Sequence, residues 1–237
     1  MDKLDNDKLK NDNLLFKFIP FYSVLPICMY IFVYCFCYFG AGFIISCYNF
    51  KIHYIILFID NYIPYMSLFV IPYCIFYPYI ILGPILISKF NEYYFYRFIL
   101  AGIIGSIIGG ISFLVKPTGI MITEIIPSNF LDNIMLFLRN RDKFIGRACP
   151  SFHCFLSVLV FIGISSIKNI KYEIKVKSFI ITFFIILSTV FTKQHYIIDS
   201  ISGILLAVIS WNLAKNEKYI EMLKNIFKKI NDKKYNK

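Results

Sequence analysis

Six long apolar segments without charged residues dominate the chain. They cover residues 18–50, 61–88, 98–115, 148–167, 178–192 and 200–214. An apolar stretch of about 20 residues is long enough to cross a bilayer as an α-helix. The sequence therefore predicts an all-α integral membrane protein, a bundle of six transmembrane helices in which residues 18–214 form one membrane domain.

The fifth segment, residues 178–192, is the shortest of the six. As a helix it would rise only ~23 Å, compared with about 30 Å for the hydrocarbon core of a bilayer. Lys177 and Lys193 flank it. Their long side chains can carry the ammonium groups out to the two interfaces, so we predict that this segment also spans the membrane.

The two ends of the chain differ in character from the membrane domain. Residues 1–17 are mixed in charge and precede an apolar stretch too long for a cleavable signal, so they are predicted to be a cytoplasmic segment before a retained first span. In residues 215–237, Ile220, Leu223, Phe227 and Ile230 recur at helical spacing among lysines. This pattern predicts a basic amphipathic helix on the inner membrane surface.

Composition supports the membrane class and limits the partners. The chain is 58% apolar and 19% aromatic, with a mean hydropathy of +0.66, which excludes an ordinary soluble domain. Its net charge of +11 would also fit a nucleic-acid-binding protein. Most of the excess cations lie in loops and in the tail, however, where anionic lipid headgroups attract them. We therefore expect membrane lipids, and no nucleic acid, as partners.

The distribution of lysine and arginine predicts the orientation. With six spans both termini share one side, and that side collects most of the 25 cations, including the eight lysines from Lys215 to Lys237. Cation-rich loops stay in the cytoplasm, so both termini are predicted to be cytoplasmic, in the plasma membrane. Lys116, His153 and His195 then share the outer face, which predicts an extracytoplasmic active site.

Two of the three histidines lie beside groups that handle phosphate. Four residues separate His195 from Asp199, and on a helix this spacing would put both side chains on one face, where a carboxylate can fix the imidazole tautomer. Pro150 and Ser151 predict a helix start, with Ser151 as N-cap and His153 in the first turn. A helix N-terminus binds anions through its free N–H groups, so the pattern indicates phosphoryl chemistry.

These blocks resemble the phosphatidic acid phosphatase type 2 superfamily of membrane lipid phosphatases and phosphotransferases, over roughly residues 60–213. The family pattern is K-x6-R-P, then P-S-G-H, then S-R-x5-H-x3-D. The second block is matched by Pro150, Ser151 and His153, with Phe152 in place of glycine. The third block is matched by Ser188, His195 and Asp199.

The chain departs from the family pattern at both arginines. Thr189 stands at the arginine of the third block and Thr123 at that of the first, where only Lys116-Pro117 is recognisable. Other cations must therefore hold the phosphoryl oxygens. The candidates beside Ser151 are Lys116, Lys193, Arg139, Arg141 and Arg147.

The resemblance implies roles for the matched residues. His195 would be the nucleophile that forms a phosphohistidine, oriented by Asp199, and His153 would protonate the leaving alkoxide and then activate water. No cofactor or metal is expected, because Cys149 and Cys154 with only His153 make a poor metal site. Asp60 is interpreted as a cap where the second span begins, and His53 as an interfacial residue.

Several functions remain open from the sequence. The leading hypothesis is metal-independent hydrolysis of a lipid phosphate or pyrophosphate. A phosphotransferase or headgroup synthase would use the same phosphohistidine with an alcohol acceptor. A channel or transporter is disfavoured because the spans contain almost no ionisable groups at mid-depth. The missing arginines also leave room for an inactive family member. Phosphatidic acid, phosphatidylglycerol phosphate, an isoprenoid pyrophosphate and a sugar phosphate are all candidate substrates.

One packing prediction follows from the small residues. Gly105 and Gly109 form a small-x-x-x-small pattern in the third segment, and Gly203 and Ala207 continue the face of Asp199 in the sixth. Such patterns let two helices approach closely. The third and sixth helices are therefore predicted to lie near the centre of the bundle.

Overall fold

The computed structural model describes residues 19–121, 124–141 and 146–235. In these residues the chain is all-α, with strand pairing limited to isolated bridges. The α-helices are α1 Phe21–Cys47, α2 Val70–Phe90, α3 Glu92–Val115, α4 Phe130–Arg141, α5 Phe152–Ser166, α6 Tyr172–Phe191, α7 Ile197–Leu213 and α8 Glu217–Tyr235. Short 3₁₀ turns at Phe58–Asn61 and Ser67–Phe69 precede α2.

Each of the six apolar segments overlaps one of these helices. In the described residues, α1, α2 with its preceding turn, α3 and α6 are long and apolar enough to cross a membrane. Helices α7 and α8 pass the same test as a pair bent by 85°, and α5 is apolar but shorter. The apolar helices support a membrane protein, and the count of six spans stays a prediction.

The lengths of the fifth and fourth segments differ from what the sequence predicted. Helix α6 begins at Tyr172 and has 20 residues, so it reaches span length without help from its flanking lysines. Lys175 and Lys177 lie within it, because a charged side chain near a helix end does not stop the helix. The short helix is α5, with 15 residues.

The glycine pattern does mark the centre of the bundle, as predicted. A Cβ atom at Gly105 of α3 would collide with the ring of Phe155, and one at Gly109 with the ring of Phe152. Gly105 also faces Ser210 of α7. Helices α3, α5 and α7 therefore pack closely because glycine leaves room for the aromatic rings of α5.

The two ends of the bundle can be distinguished from contacts between helix termini. Phe69, just before α2, stacks on Phe191 at the end of α6, with ring centres 4.5 Å apart. The backbone N–H of Ser151, just before α5, donates to the carbonyl of Asp199 at the start of α7. The starts of α2, α5 and α7 and the end of α6 therefore share one end, which we call the histidine end. The last turn of α2 and the start of α6 lie at the opposite end.

Helix α8 turns back onto the bundle at the opposite end. Its Ile220 and Phe227 are buried, and the Phe227 ring stacks on Tyr96 of α3. Lys224 forms an ion pair of 2.9 Å with Glu92. The tail is thus helical as predicted, and part of its apolar face packs on α3. Its position on the inner membrane surface stays a prediction.

Candidate active site

Three loops meet at the histidine end through Thr118. Isolated parallel bridges join Thr118 to His53 and to Arg147. The Thr118 carbonyl accepts from the N–H of Ala148 at 2.9 Å, and its hydroxyl accepts from the N–H of Cys149 at 2.7 Å. Thr118 follows Lys116-Pro117 in the chain, so these bonds bring the first sequence block to the second.

The second block forms the helix start that its sequence predicts. Ser151 is the N-cap of α5, and its hydroxyl accepts from the N–H of Cys154 at 3.4 Å. The N–H of Ser151 donates to the Asp199 carbonyl at 2.9 Å. The Ser151 carbonyl lies directly against Gly203 of α7, where no side chain would fit. The second and third blocks are therefore joined backbone to backbone.

His195 does not lie on a helix with Asp199, contrary to the sequence prediction. Helix α6 ends at Phe191 and α7 begins at Ile197, so His195 lies in the turn between them. Lys193 makes this turn with a φ of 55°, and the N–H of His195 donates back to the carbonyl of Thr189 at 3.0 Å. Helix α7 begins after His195 because residues 192–196 close the C-terminus of α6.

The predicted approach of Asp199 to His195 nevertheless occurs. The Nδ1 atom of His195 lies 3.6 Å from the Oδ2 atom of Asp199, somewhat longer than a hydrogen bond. The same carboxylate accepts from the N–H of Tyr196 at 2.9 Å and so caps α7. Both side chains are almost fully buried. Because Nδ1 faces the carboxylate, Nε2 is the nitrogen left for chemistry.

His153 faces His195 and is held by aromatic rings. The two imidazole centres are 5.6 Å apart and the rings meet edge to face. On its other sides His153 contacts Phe76 and Tyr73 of α2, at 4.4 Å and 4.8 Å between ring centres. These two aromatic residues could not be singled out from the sequence, because their role depends on how α2 packs on α5.

A cavity of about 760 Å³ opens beside the two histidines. Its wall includes His153, His195, Arg139 and Arg147, together with the loops around Thr118 and the side chains of Tyr38 and Gln194. Glu124 also lines it. The volume lies within the range of pockets that hold small ligands. Sequence reasoning singled out the histidines and both arginines but missed Tyr38, Glu124 and Gln194.

The two arginines enter the cavity wall from different sides. Arg139 of α4 donates from Nη2 to the carbonyl of Thr192 at 2.8 Å and to that of Lys193 at 3.3 Å. Arg147 is 4% exposed. Its Nη1 donates to the Tyr38 carbonyl at 3.4 Å, and its guanidinium lies 4.0 Å from the Tyr38 ring centre. Both cations are thus fixed by backbone carbonyls.

Among the described residues, three other predicted phosphate ligands do not line the cavity: Lys116, Ser151 and Lys193. The Nζ atom of Lys193 donates to the carbonyl of Asp60 at 3.1 Å. Lys116 is exposed where α3 ends. The side chain of Arg141, and Thr123 as a whole, lie outside the described residues. Ser151 is fully buried.

Thr189, which stands at the arginine position of the third block, packs inside the bundle. Its side chain has no exposed surface. The hydroxyl lies 3.2 Å from that of Ser200 and 3.8 Å from the sulfur of Cys154, so it joins α5, α6 and α7. A guanidinium would not fit in this small polar contact. The cations of the cavity wall therefore have to come from other segments.

Asp60 caps the 3₁₀ turn that precedes α2, as predicted, and also binds the start of α7. Its Oδ1 accepts from the N–H of Ile197, the first residue of α7, at 3.0 Å. Its Oδ2 accepts from the N–H of Leu57 at 2.8 Å. This buried carboxylate ties the loop before α2 to α7, close to the turn that carries His195.

Comparison with known proteins adds one finding. A family model described as the PAP2 superfamily matches residues 48–213, which is more than half of the chain and includes both histidine blocks. Searches of curated proteins and of solved structures found no match. The matched range contains α2 to α7, both histidines and both arginines of the cavity wall. The chain therefore belongs to the PAP2 superfamily.

Proposed function

We propose that this protein hydrolyses a lipid phosphate through a phosphohistidine, without a metal ion. The observation that carries the proposal is the pair of histidines, 5.6 Å apart between ring centres, at the wall of a cavity that also contains Arg139 and Arg147. Family membership supports phosphatase-type activity in general. The lipid substrate and the mechanism are our inference from the site.

The reaction uses each imidazole for a different task. The Nε2 atom of His195 attacks phosphorus, and the bond from phosphorus to the ester oxygen breaks. Asp199, 3.6 Å from Nδ1, stabilises the positive charge that develops on the ring. His153 gives its proton to the departing alkoxide. In the second step it takes a proton from water, which attacks phosphorus and releases His195 and inorganic phosphate.

The two guanidinium groups stabilise the phosphoryl oxygens. Planar guanidinium groups bind phosphate through paired N–H donors. Arg139 and Arg147 replace the arginines that the family pattern has at positions 123 and 189. Their contacts with the carbonyls of Thr192 and Tyr38 hold them in place before substrate binds, so little reorganisation is needed when charge develops.

Helix α4 supports a lipid as the substrate. One side packs on α2 through Met135, which is buried beside Tyr73 and Val70. Phe130 and Phe137 project from another side and are 76% and 56% exposed. Asn133 and Asn140 are exposed on the same side, three or four residues from the phenylalanines. A helix with one buried side and one exposed side that carries both aromatic and amide groups suits the boundary between lipid and water, and Arg139 then lies at headgroup depth.

A buried carboxylate anchors α4 at this position. Asp132 accepts from the N–H and hydroxyl of Ser128 and from the Tyr65 hydroxyl at 2.9 Å. The N–H of Ser128, followed by these hydroxyl groups, lowers the pKa of Asp132 to about 2. Asp132 therefore stays ionised at any physiological pH, and the anchor that presents Arg139 does not depend on pH.

Phosphate release by the purified protein tests the proposal directly. Phosphatidic acid, phosphatidylglycerol phosphate, an isoprenoid pyrophosphate and a sugar phosphate would be assayed in excess EDTA. We expect hydrolysis of at least one lipid substrate, undiminished by the chelator, because guanidinium groups and a helix N-terminus supply the stabilising charge. Loss of activity in EDTA that magnesium restores would contradict the mechanism. Phosphate transfer to an added alcohol, with no release in its absence, would favour the phosphotransferase.

Removal of Arg139 tests whether this residue takes the role of an arginine that the family pattern has and this chain lacks. Arg139→Ala is expected to lower kcat by roughly 10²- to 10³-fold, as loss of a transition-state donor does, and Arg139→Lys should recover part of the loss. Arg97→Ala is the matched control. Arg97 also donates to a backbone carbonyl near a helix end, that of Trp211, but it lies outside the cavity. Equal losses in the two alanine variants would show that Arg139 only caps α6.

The proposed orientation can be tested by labelling. In a cysteine-free background, Lys237→Cys should react with an impermeant maleimide only after the membrane is permeabilised, because cation-rich segments stay inside. Lys51→Cys, exposed at the histidine end, should react in intact cells. The reverse pattern would place the active site in the cytoplasm.

A further inference from the structure

A second cavity, which we call the groove, lies at the opposite end of the bundle, between α2, α5 and α6. Its volume is about 680 Å³. The wall is almost entirely aliphatic, and it includes Leu82, Leu86, Ile164 and Ile181. Two lysines, Lys89 and Lys177, complete the wall. The proposed phosphatase mechanism uses none of these residues.

The lysines lie at one end of this groove. Lys89 is in the last turn of α2, and Lys177 is in the second turn of α6. The two helices run antiparallel, because the start of α2 meets the end of α6 at the histidine end. Both ammonium groups therefore belong to the opposite end, where both lysines are exposed. From Lys177 to the end of α6 the helix rises about 21 Å, so this groove is separate from the active site.

The polar groups deep in the groove are already satisfied. The Tyr79 hydroxyl lies 2.6 Å from the hydroxyl of Ser178 and 3.0 Å from that of Thr182. A buried polar group without a partner would disfavour an apolar ligand. Because the Tyr79 hydroxyl bonds to both of the other hydroxyls, the groove can hold a hydrocarbon chain without that cost. Pro78 of α2 also lines the groove.

We propose that this groove binds one anionic phospholipid of the leaflet at the opposite end, with an acyl chain along the aliphatic wall and the phosphate between Lys89 and Lys177. The positive charge of these two lysines selects the headgroup. Basic pockets between membrane helices bind acidic lipid headgroups, and each nearby lysine adds to the attraction. A zwitterionic lipid fits the same wall but gains much less from two ammonium groups. The site would make the protein sensitive to the acidic lipid content of that leaflet.

Native mass spectrometry of the detergent-purified full chain would test the site without relying on catalysis. We expect phosphatidylglycerol to bind more tightly than phosphatidylcholine with the same acyl chains. The Lys89→Gln, Lys177→Gln double variant should lose roughly 10- to 30-fold in affinity for phosphatidylglycerol and little for phosphatidylcholine. Lys168→Gln, Lys171→Gln is the matched control, because it removes the same charge from neighbouring positions outside the groove and should retain wild-type preference.

Two further measurements test the binding of the acyl chain and the source of the phosphate. Ile181→Trp, which narrows the groove without changing charge, should weaken binding of both lipids. Millimolar inorganic phosphate should not displace phosphatidylglycerol, because the free anion makes no use of the aliphatic wall. Unchanged lipid preference in the Lys89, Lys177 double variant, or displacement by inorganic phosphate, would overturn the proposal. Neither result would bear on hydrolysis at the histidine end.

Discussion

Replacement of His195 by alanine is expected to abolish phosphoenzyme formation with every substrate. The substitution removes the nitrogen that accepts phosphorus, so the loss should not depend on the leaving group. Replacement of His153 by alanine leaves that nitrogen in place and removes the proton donor. Positioned proton transfer contributes roughly 10² to 10⁴ in rate, so this variant should also be severely impaired on an alkyl phosphate.

The two histidine variants should differ in the rate of the first step on an activated substrate. A nitrophenyl phosphate has a leaving group that departs without protonation, so the first step of His153→Ala should largely recover. The second step still needs activated water, and an acid-labile phosphoenzyme should accumulate. Rapid-quench trapping with radiolabelled substrate measures both effects.

The third histidine provides the matched control for these experiments. The backbone of His53 donates to the carbonyl of Pro117 and accepts from the N–H of Gly119, and His53 is not among the residues that line the cavity. His53→Ala should therefore keep activity within a few-fold of the wild type. Labelled phosphate trapped on the His195→Ala protein would show that another residue is the nucleophile.

Addition of a single methyl group at Gly203 is expected to disrupt the site without touching any catalytic side chain. A Cβ atom there would collide with the backbone carbonyl of Ser151 and lie 3.0 Å from the Cβ of Cys154. Backbone cannot move aside as a flexible side chain can, so α5 must shift relative to α7. Overpacking of this kind typically costs about 1–3 kcal/mol.

The effect of Gly203→Ala on catalysis should exceed its effect on folding. The shift separates His153, on α5, from His195, just before α7, and a misplacement of about 1 Å can cost roughly 10²-fold in rate. Gly40→Ala on α1 is the matched control, because no atom lies within 4 Å of its added methyl group. Thermal unfolding in detergent and phosphate release would be measured for both. Full activity in Gly203→Ala would show that the contact between α5 and α7 does not set the histidine geometry.

Features that depend on neighbouring residues in the chain could be predicted from the sequence. The start of α5 at Ser151 follows from local capping, and the helical segments follow from apolar runs. The close packing of α3 could be predicted from Gly105 and Gly109, because glycine lets a neighbouring helix approach closely in any helix bundle.

Features that depend on tertiary placement were predicted poorly or not at all. The position of His195 in a turn depends on how α6 ends, with Lys193 at positive φ and Thr189 accepting the N–H of His195. The role of Asp60 as a cap of α7 joins residues 137 positions apart. Arg139 was one of several candidate cations, and only the placement of α4 beside the end of α6 distinguishes it from Lys193.

The shortness of α5 has a consequence for which phosphates the enzyme reaches. Its 15 residues rise about 22 Å, roughly 8 Å less than the hydrocarbon thickness of a bilayer. If α5 spans the membrane with Ser166 at the far interface, we expect His153 to lie below the plane of the headgroups. A phosphate attached directly to the hydrophobic anchor can descend to that depth together with its chains. The same phosphate at the tip of a long polar headgroup stays in water. We therefore expect the length of α5 to limit the distance between the phosphorus atom of a substrate and the hydrocarbon core.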